Sequence, residues 1–365
     1  MIRALARIDV GAIERNTARI AGAAPGAAVC AVVKADAYGH GMLPASRAAL
    51  TGGATWLAVA TATEACGLRA GGIDGRILVL GALSDEELPL ALDAGADIVV
   101  WREETVARIS AHGGGRVHVK LDTGMGRLGT RDPDAATRVA QAAAVAPGVE
   151  LAGLMTHFAT ADEQGDAFFG EQLARFGDWA GPLKAAHPGA LVHAANSAAT
   201  LREPRSHFDL VRPGVALYGM DPFGEDPAEH GLEPALELIS YVAEVKPIAP
   251  GESTGYGRRF VAAQPTTIAT VPIGYGDGWR RGLSNDADVL VGGRRLALVG
   301  AVSMDNITLD AGHQGARVGE EAVLIGTRGG ERILAEEVAR RLGTINYEVT
   351  CGIGARVPRV HVGGP

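Results

Sequence analysis

The chain has 365 residues, enough for two domains, and 47% of them are hydrophobic, which is ample for large cores. A formal net charge of −8 leaves no basic footprint for nucleic acid, and no apolar run is long enough to span a membrane. The 3 cysteines (Cys30, Cys66, Cys351) are scattered without metal-like pairing, and residues 1–9 are too short and too charged for a signal peptide, so a reducing cytoplasm is the expected compartment.

Residues 12–21 read as an amphipathic helix. Apolar runs follow at 28–33, 56–60, 77–81, 97–101, 116–121, 151–158, 191–196 and 208–211. The segments 63–70, 85–93, 103–111, 134–146, 170–186 and 198–202 between them are helix-compatible. Continuous rather than alternating apolar strands, each followed by a helix, mean a parallel sheet covered on both faces. Eight such units spell a (β/α)8 barrel, with a doubly wound sheet as the alternative. The pattern changes after Tyr218. Residues 221–233 are rich in Pro, Gly and acidic residues and read as a linker. Short strand-like segments follow at 239–245, 267–272, 287–291, 294–299 and 322–325, with one helix at 334–342. The expected division is a barrel over 1–233 and a β-rich domain over 234–365.

Barrel active sites sit on the loops that follow the strands. The polar residues expected on that rim are Lys34 and Tyr38 after the first strand, and Lys120, Asp122 and Arg127 after the fifth. Thr156 and His157 end the sixth, His193, Asn196 and Ser197 end the seventh, and Arg212 ends the eighth, just before Pro213-Gly214-Val215. Lys34 stands out. A lysine at the end of a buried strand is costly to desolvate as a cation, so it either needs a partner, a lowered pKa or a covalent role, or it snorkels out past the strand end. Only Lys34, Lys120, Lys184 and Lys246 are lysines, so one kept inside a strand is less often incidental.

Several stretches together resemble the alanine racemase family, the fold-type III enzymes that use pyridoxal 5′-phosphate. They are Val-Val-Lys-Ala-Asp-Ala-Tyr-Gly-His-Gly (32–41), Lys-Leu-Asp-Thr-Gly-Met-Gly-Arg-Leu-Gly (120–129) and His-Ala-Ala-Asn-Ser (193–197). Val-Arg-Pro-Gly-Val-Ala-Leu-Tyr-Gly (211–219), Gly-Tyr-Gly-Asp-Gly (274–278) and Asn-Tyr-Glu-Val (346–349) complete the set, which covers essentially the whole chain.

The resemblance implies the following roles. Lys34 is similar to the Schiff-base lysine, which is also one of two acid/base groups. Tyr256 resembles the second base, contributed to the barrel of the other subunit of a homodimer. Racemisation removes a proton from one face of Cα and returns it on the other, so one group per face is the simplest arrangement. A free tyrosine titrates near pKa ~10, and His157 with Arg212 is implied as the hydrogen-bonded chain that tunes it. Arg212 is similar to the arginine facing the pyridine nitrogen. Tyr38, Asn196, Ser197, the backbone at Gly214 and Val215, and Tyr347 resemble the remaining cofactor-binding set. Arg127 resembles the arginine that orients the substrate carboxylate, steadied by Lys120, a position often carbamylated. Met304 and Asp305 resemble substrate-side residues of the partner chain, and Tyr275 and Asp162 resemble entrance residues. Ser303 departs from the cysteine of many members, and Gly255 from the serine of some. The implied activity is interconversion of L- and D-alanine for peptidoglycan synthesis, without nucleic-acid or membrane partners and without a metal. A fold-type III decarboxylase, which puts a carboxylate at the pyridine nitrogen, is disfavoured by Arg212. A non-catalytic cofactor carrier, which is a barrel alone, is disfavoured by the β domain. A racemase for serine or larger amino acids stays open.

Overall fold

The computed structural model describes residues 2–363. Two compact units divide the chain: Ile13–Ala37 with Met42–Leu217, and the segments up to Ala12, Tyr38–Gly41 and from Tyr218 onward.

The first unit is an eight-stranded parallel barrel in which the first seven strands pair in sequence order. The strands are Ala28–Val32, Trp56–Val59, Arg76–Val79, Asp97–Val100, Gly115–Lys120, Val149–Met155, Leu191–His193 and Leu210–Val211. The first pairs with the last, Ala28 opposite Leu210. The seventh and eighth are tied by the Asp209 amide, which donates to the Val192 carbonyl at 2.9 Å, and by the Asp209 carboxylate, which accepts from the Val192 amide at 2.8 Å. Their apolar runs are continuous because the barrel packs inside against itself and outside against helices. Local signals set where the helices begin. Thr61 and Glu64 form a capping box at the start of Ala62–Ala70, and Asp132, Asp166 and Asn196 cap Pro133–Val145, Ala167–Ala186 and Ser197–Arg202.

The second unit is built on a ten-stranded, mostly antiparallel sheet. Its boundary corrects the expected division at residue 233. The N-terminal strand Leu5–Asp9 pairs antiparallel with Leu236–Tyr241 and parallel with Arg359–Val362, so it belongs to the sheet and not to the barrel. Its short polar-alternating sequence, Leu-Ala-Arg-Ile-Asp, gives no hint of partners more than two hundred residues away. The segment 221–233 is not a free linker. Asp221 is fully buried, its carboxylate accepts from the amides of Phe223 and Glu225, and its carbonyl accepts from Asn346 at 2.7 Å.

Candidate active site

The chain leaves the first barrel strand at Val32 and turns at Lys34 in an unusual way. Ala35, Asp36, Ala37 and Tyr38 have φ of 53°, 52°, 55° and 56°, and Gly39 has 83°. This is a left-handed turn made largely of non-glycine residues, at about 1–2 kcal/mol each. Three contacts hold it: the Ala35 amide donates to Glu64 Oε1 at 2.6 Å, the Ala37 amide to the Val33 carbonyl at 2.9 Å, and the Met42 amide to Asp36 Oδ1 at 2.7 Å. Lys34 is half-buried at its start.

Around it the barrel assembles cations. Lys120, at the end of the fifth strand, is 4% exposed. Burial, then the charges of Arg212 and Arg127, lower its ammonium to about 8; Asp122 opposes them and Lys34 adds to them. The loop after it is shaped by Asp122, whose carboxylate accepts from the Gly124 and Gly126 amides at 3.0 Å, and the loop carries Arg127 at the surface. His157 feels all four cations. Burial, Arg212, Lys120, Arg127 and Lys34 together hold it neutral, well below the usual imidazole range.

Arg212 is 3% exposed, and burial pulls its guanidinium down to about 10, still a cation at neutral pH. Its Nη2 donates to the Thr156 carbonyl at 2.7 Å and the Ala194 carbonyl at 3.0 Å, and His157 Nδ1 lies 3.4 Å away. Its Nη1 donates to His193 Nδ1 at 2.7 Å. Nearby, buried Ser197 Oγ accepts from the Gly214 amide at 2.9 Å and the Ala216 amide at 3.4 Å, with Val215 between them, and Asn196 Oδ1 accepts from the Ala199 amide at 3.0 Å. The barrel unit thus gathers Lys34, Lys120, Arg127, His157, Asn196, Ser197, Arg212, Gly214 and Val215 at the ends of its strands.

The remaining predicted residues, Asp162 apart, belong to the sheet unit. Tyr38 is buried with its ring 5.1 Å from Tyr218 and 5.9 Å from Tyr347, and burial, then Cys351, push its phenol above the usual range. Tyr256 is 74% exposed on a short turn whose Gly255 has φ 72° and ψ 176°, a conformation only glycine adopts readily. Met304 is also exposed. The Gly276 amide donates to the Met304 carbonyl at 2.9 Å, so Tyr275 and Met304 sit on paired segments. Asp305 is not free: Arg356 Nη2 approaches its carboxylate at 2.7 Å and Arg3 Nη2 at 3.6 Å. Ser303 Oγ donates to the Asn306 carbonyl at 2.7 Å and accepts its amide at 3.0 Å, closing the turn that carries Met304 and Asp305. Asp162 lies exposed in the loop after the sixth barrel strand.

Sequence reasoning missed Glu64, Asp97 and His118. The available signal was a polar residue inside an otherwise apolar strand, as in Val117-His118-Val119 and Asp97-Ile98-Val99.

An eight-stranded parallel barrel with cations gathered at the ends of its strands, followed along the chain by an antiparallel-sheet domain, defines a two-domain barrel enzyme. The alanine racemase N-terminal domain profile matches residues 8–222 and the C-terminal domain profile matches 235–361. An alanine racemase of Frankia casuarinae is 43% identical over 99% of this chain and 97% of its own length, and one of Thermobifida fusca is 43% identical over 98% of both. The crystal structure of alanine racemase from D-cycloserine producing Streptomyces lavendulae superposes with a TM-score of 0.95 at 38% identity, covering 100% of this chain and 98% of that one. The enzyme of Streptomyces coelicolor A3(2) does so with the same score and identity, covering 99% of its own chain. The chain belongs to the alanine racemase family.

Proposed function

We propose that the protein racemises alanine, using pyridoxal 5′-phosphate held by the barrel and a tyrosine donated by a second copy of the chain. The observation that carries this reading is the buried Arg212, which meets carbonyls and a histidine and no carboxylate among the contacts given above. The donor set also fits the cofactor chemically. Four cations bear on His157, which suits a ligand carrying a phosphate and a carboxylate, and Ser197, whose oxygen already accepts from the Gly214 and Ala216 amides, offers its hydroxyl hydrogen as a neutral donor to a dianion.

When bound, the cofactor supplies an electron-accepting ring that makes the substrate Cα–H acidic. With the cofactor bound, Arg212 would donate to the ring nitrogen and, being unable to surrender a proton at neutral pH, would leave that nitrogen unprotonated. Arg212 would thereby weaken the electron sink and favour prompt return of the proton over side reactions. Lys34 would hold the cofactor covalently, and its Nζ would move a proton on one face of the substrate Cα. Tyr256 Oη does the same on the opposite face. Tyr38 and Tyr347 would complete the phosphate contacts. Arg127 would orient the substrate carboxylate; the Lys120 amine, lowered to about 8, is nucleophilic enough near neutrality to take up carbon dioxide with loss of a proton, and the resulting carbamate anion would steady Arg127. Met304 and Asp305 close the substrate side.

Tyr256 is largely exposed on its own chain, in keeping with a homodimer that shares its sites; two-fold symmetry makes two per dimer. Among the described residues no disulfide joins Cys30, Cys66 or Cys351, which accords with a cytoplasmic enzyme feeding D-alanine to wall synthesis. Among the described residues no helix is long and apolar enough to cross a membrane.

The test is proton NMR of L-alanine in heavy water with the cofactor-loaded protein, followed by chiral analysis. Loss of the α-proton with D-alanine appearing is the expected result. No exchange, in a protein that holds the cofactor on Lys34, overturns the substrate assignment.

A further inference from the structure

Arg212 does not stand alone in the barrel. Its Nη1 meets His193 Nδ1 at 2.7 Å, His193 Nε2 meets His118 Nδ1 at 2.8 Å, and His118 Nε2 meets Asp97 Oδ2 at 3.1 Å. Asp97, His118 and His193 are each 0% exposed. Asp97 also accepts from Arg76 Nη2 at 2.6 Å and Arg116 Nε at 2.7 Å, which keep it ionised.

The direction of every bond in this chain is determined. Arginine only donates, so His193 Nδ1 accepts. A neutral ring that accepts at Nδ1 carries its proton on Nε2, so His193 donates to His118 Nδ1. By the same step His118 donates from Nε2 to Asp97, and an ionised carboxylate only accepts. Reading from Asp97 toward Arg212 gives the same answer. An extra proton has no place: an imidazolium at either ring would drive two N–H groups head-on at His193 or at Arg212. Burial is consistent with this, because it pulls both histidines below their usual range.

The barrel makes room for the chain. A Cβ at Gly153, on the neighbouring strand, would overlap His118 Nδ1, and the register between the two strands shifts between Val117 and His118. Trp56 packs edge-on against His118 with ring centroids 5.7 Å apart, and the Arg76 guanidinium carbon lies 4.3 Å from the Trp56 centroid.

We infer that Asp97, His118 and His193 form a one-way hydrogen-bond chain that fixes the tautomer and tilt of His193, and through it the planar fork of Arg212. Asp97 and His118 are therefore positioning residues. Three of the Arg212 N–H groups go to His193, Thr156 and Ala194, which sets where the others point. This rests on the reading of Arg212 as partner of the cofactor ring nitrogen.

Two measurements test it. The first is 15N NMR of histidine-labelled protein, with and without pyridoxal phosphate, assigned with His118→Phe. Both rings are expected as neutral Nε2–H tautomers across neutral pH; an Nδ1–H tautomer or an imidazolium at either position overturns the inference. The second uses the loaded enzyme. His118→Phe is expected to lower kcat in both directions about tenfold with KM within about twofold, and to shift the visible absorption maximum of the bound cofactor. His118→Asn, which keeps an acceptor for His193 and cannot reach Asp97, should fall between. Either folded variant behaving like the parent in both kcat and absorption overturns the positioning role. If the variants do not fold, the tautomers of the parent protein decide. A parent protein without a Lys34-dependent absorption band refutes the ring-nitrogen reading instead, and leaves the tautomer result standing.

Discussion

Glu64 is the residue whose removal says most about how Lys34 is presented. Its carboxylate accepts three backbone amides: Ala35 at 2.6 Å on one oxygen, and Ala60 at 2.8 Å and Thr61 at 3.2 Å on the other. It thus closes the capping box of Ala62–Ala70 and grips the first residue of the left-handed turn. That turn holds four non-glycine residues at positive φ, a strain of roughly 4–8 kcal/mol that its surroundings must offset. A bond from an amide to a carboxylate contributes about 1.5–3 kcal/mol when buried, and half-exposed Glu64 earns less, about 1 kcal/mol per bond. Glu64→Ala should therefore lower stability by about 2–3 kcal/mol, read as a fall in the urea midpoint. Glu64→Gln should recover less than half, because both oxygens are used and an amide nitrogen would face a donor. The decisive assay is hydrogen exchange at the Ala35 amide, expected to accelerate by about tenfold or more as the turn opens locally. A stability loss of only about 1 kcal/mol, the worth of a helix cap, with unchanged exchange at Ala35, would refute the idea that Glu64 restrains the lysine turn.

Lys34→Ala should abolish the visible band of the bound cofactor and nearly all racemisation; full activity in this variant removes it from the mechanism. Tyr256→Phe should impair the reaction from L-alanine far more than α-proton exchange from D-alanine, and equal losses in the two directions contradict the face assignment. Ser197→Ala should weaken pyridoxal phosphate binding about tenfold while leaving the fold intact, measured by fluorescence titration, and an unchanged Kd excludes Ser197 from the phosphate contacts. Acid should destabilise the barrel earlier than its carboxylates alone require. His118 and His193 stay neutral when folded and take a proton near pH ~6.5 when unfolded, so stability is whole above that pH and is lost as pH falls below it. The slope reaches up to about 2.7 kcal/mol per pH unit for the two rings, and a urea midpoint that does not move between about pH 7 and 5 contradicts their neutrality.

The sequence by itself determined the barrel and most of its rim. Continuous apolar strands alternating with helix patterns allow few other architectures, and residues at strand ends inherit the barrel's functional face, so Lys34, Lys120, His157, Ser197 and Arg212 were legible from local pattern alone. The β-rich nature of the second unit was legible for the same reason. Its boundary was not, since Leu5–Asp9 acquires its place only by pairing with Leu236–Tyr241 and Arg359–Val362, and pairing across that separation leaves no local trace. Nor was the left-handed turn after Lys34: in Ala-Asp-Ala-Tyr only Asp36 leans toward positive φ, and contacts such as Glu64 with the Ala35 amide hold the turn there. The same holds for the line from Asp97 through His118 and His193 to Arg212, which lies on four separate strands or strand ends. Periodicity fixes which residues turn inward, but hydrogen bonds between them depend on register and on the space left by Gly153, and those exist only once the barrel has closed.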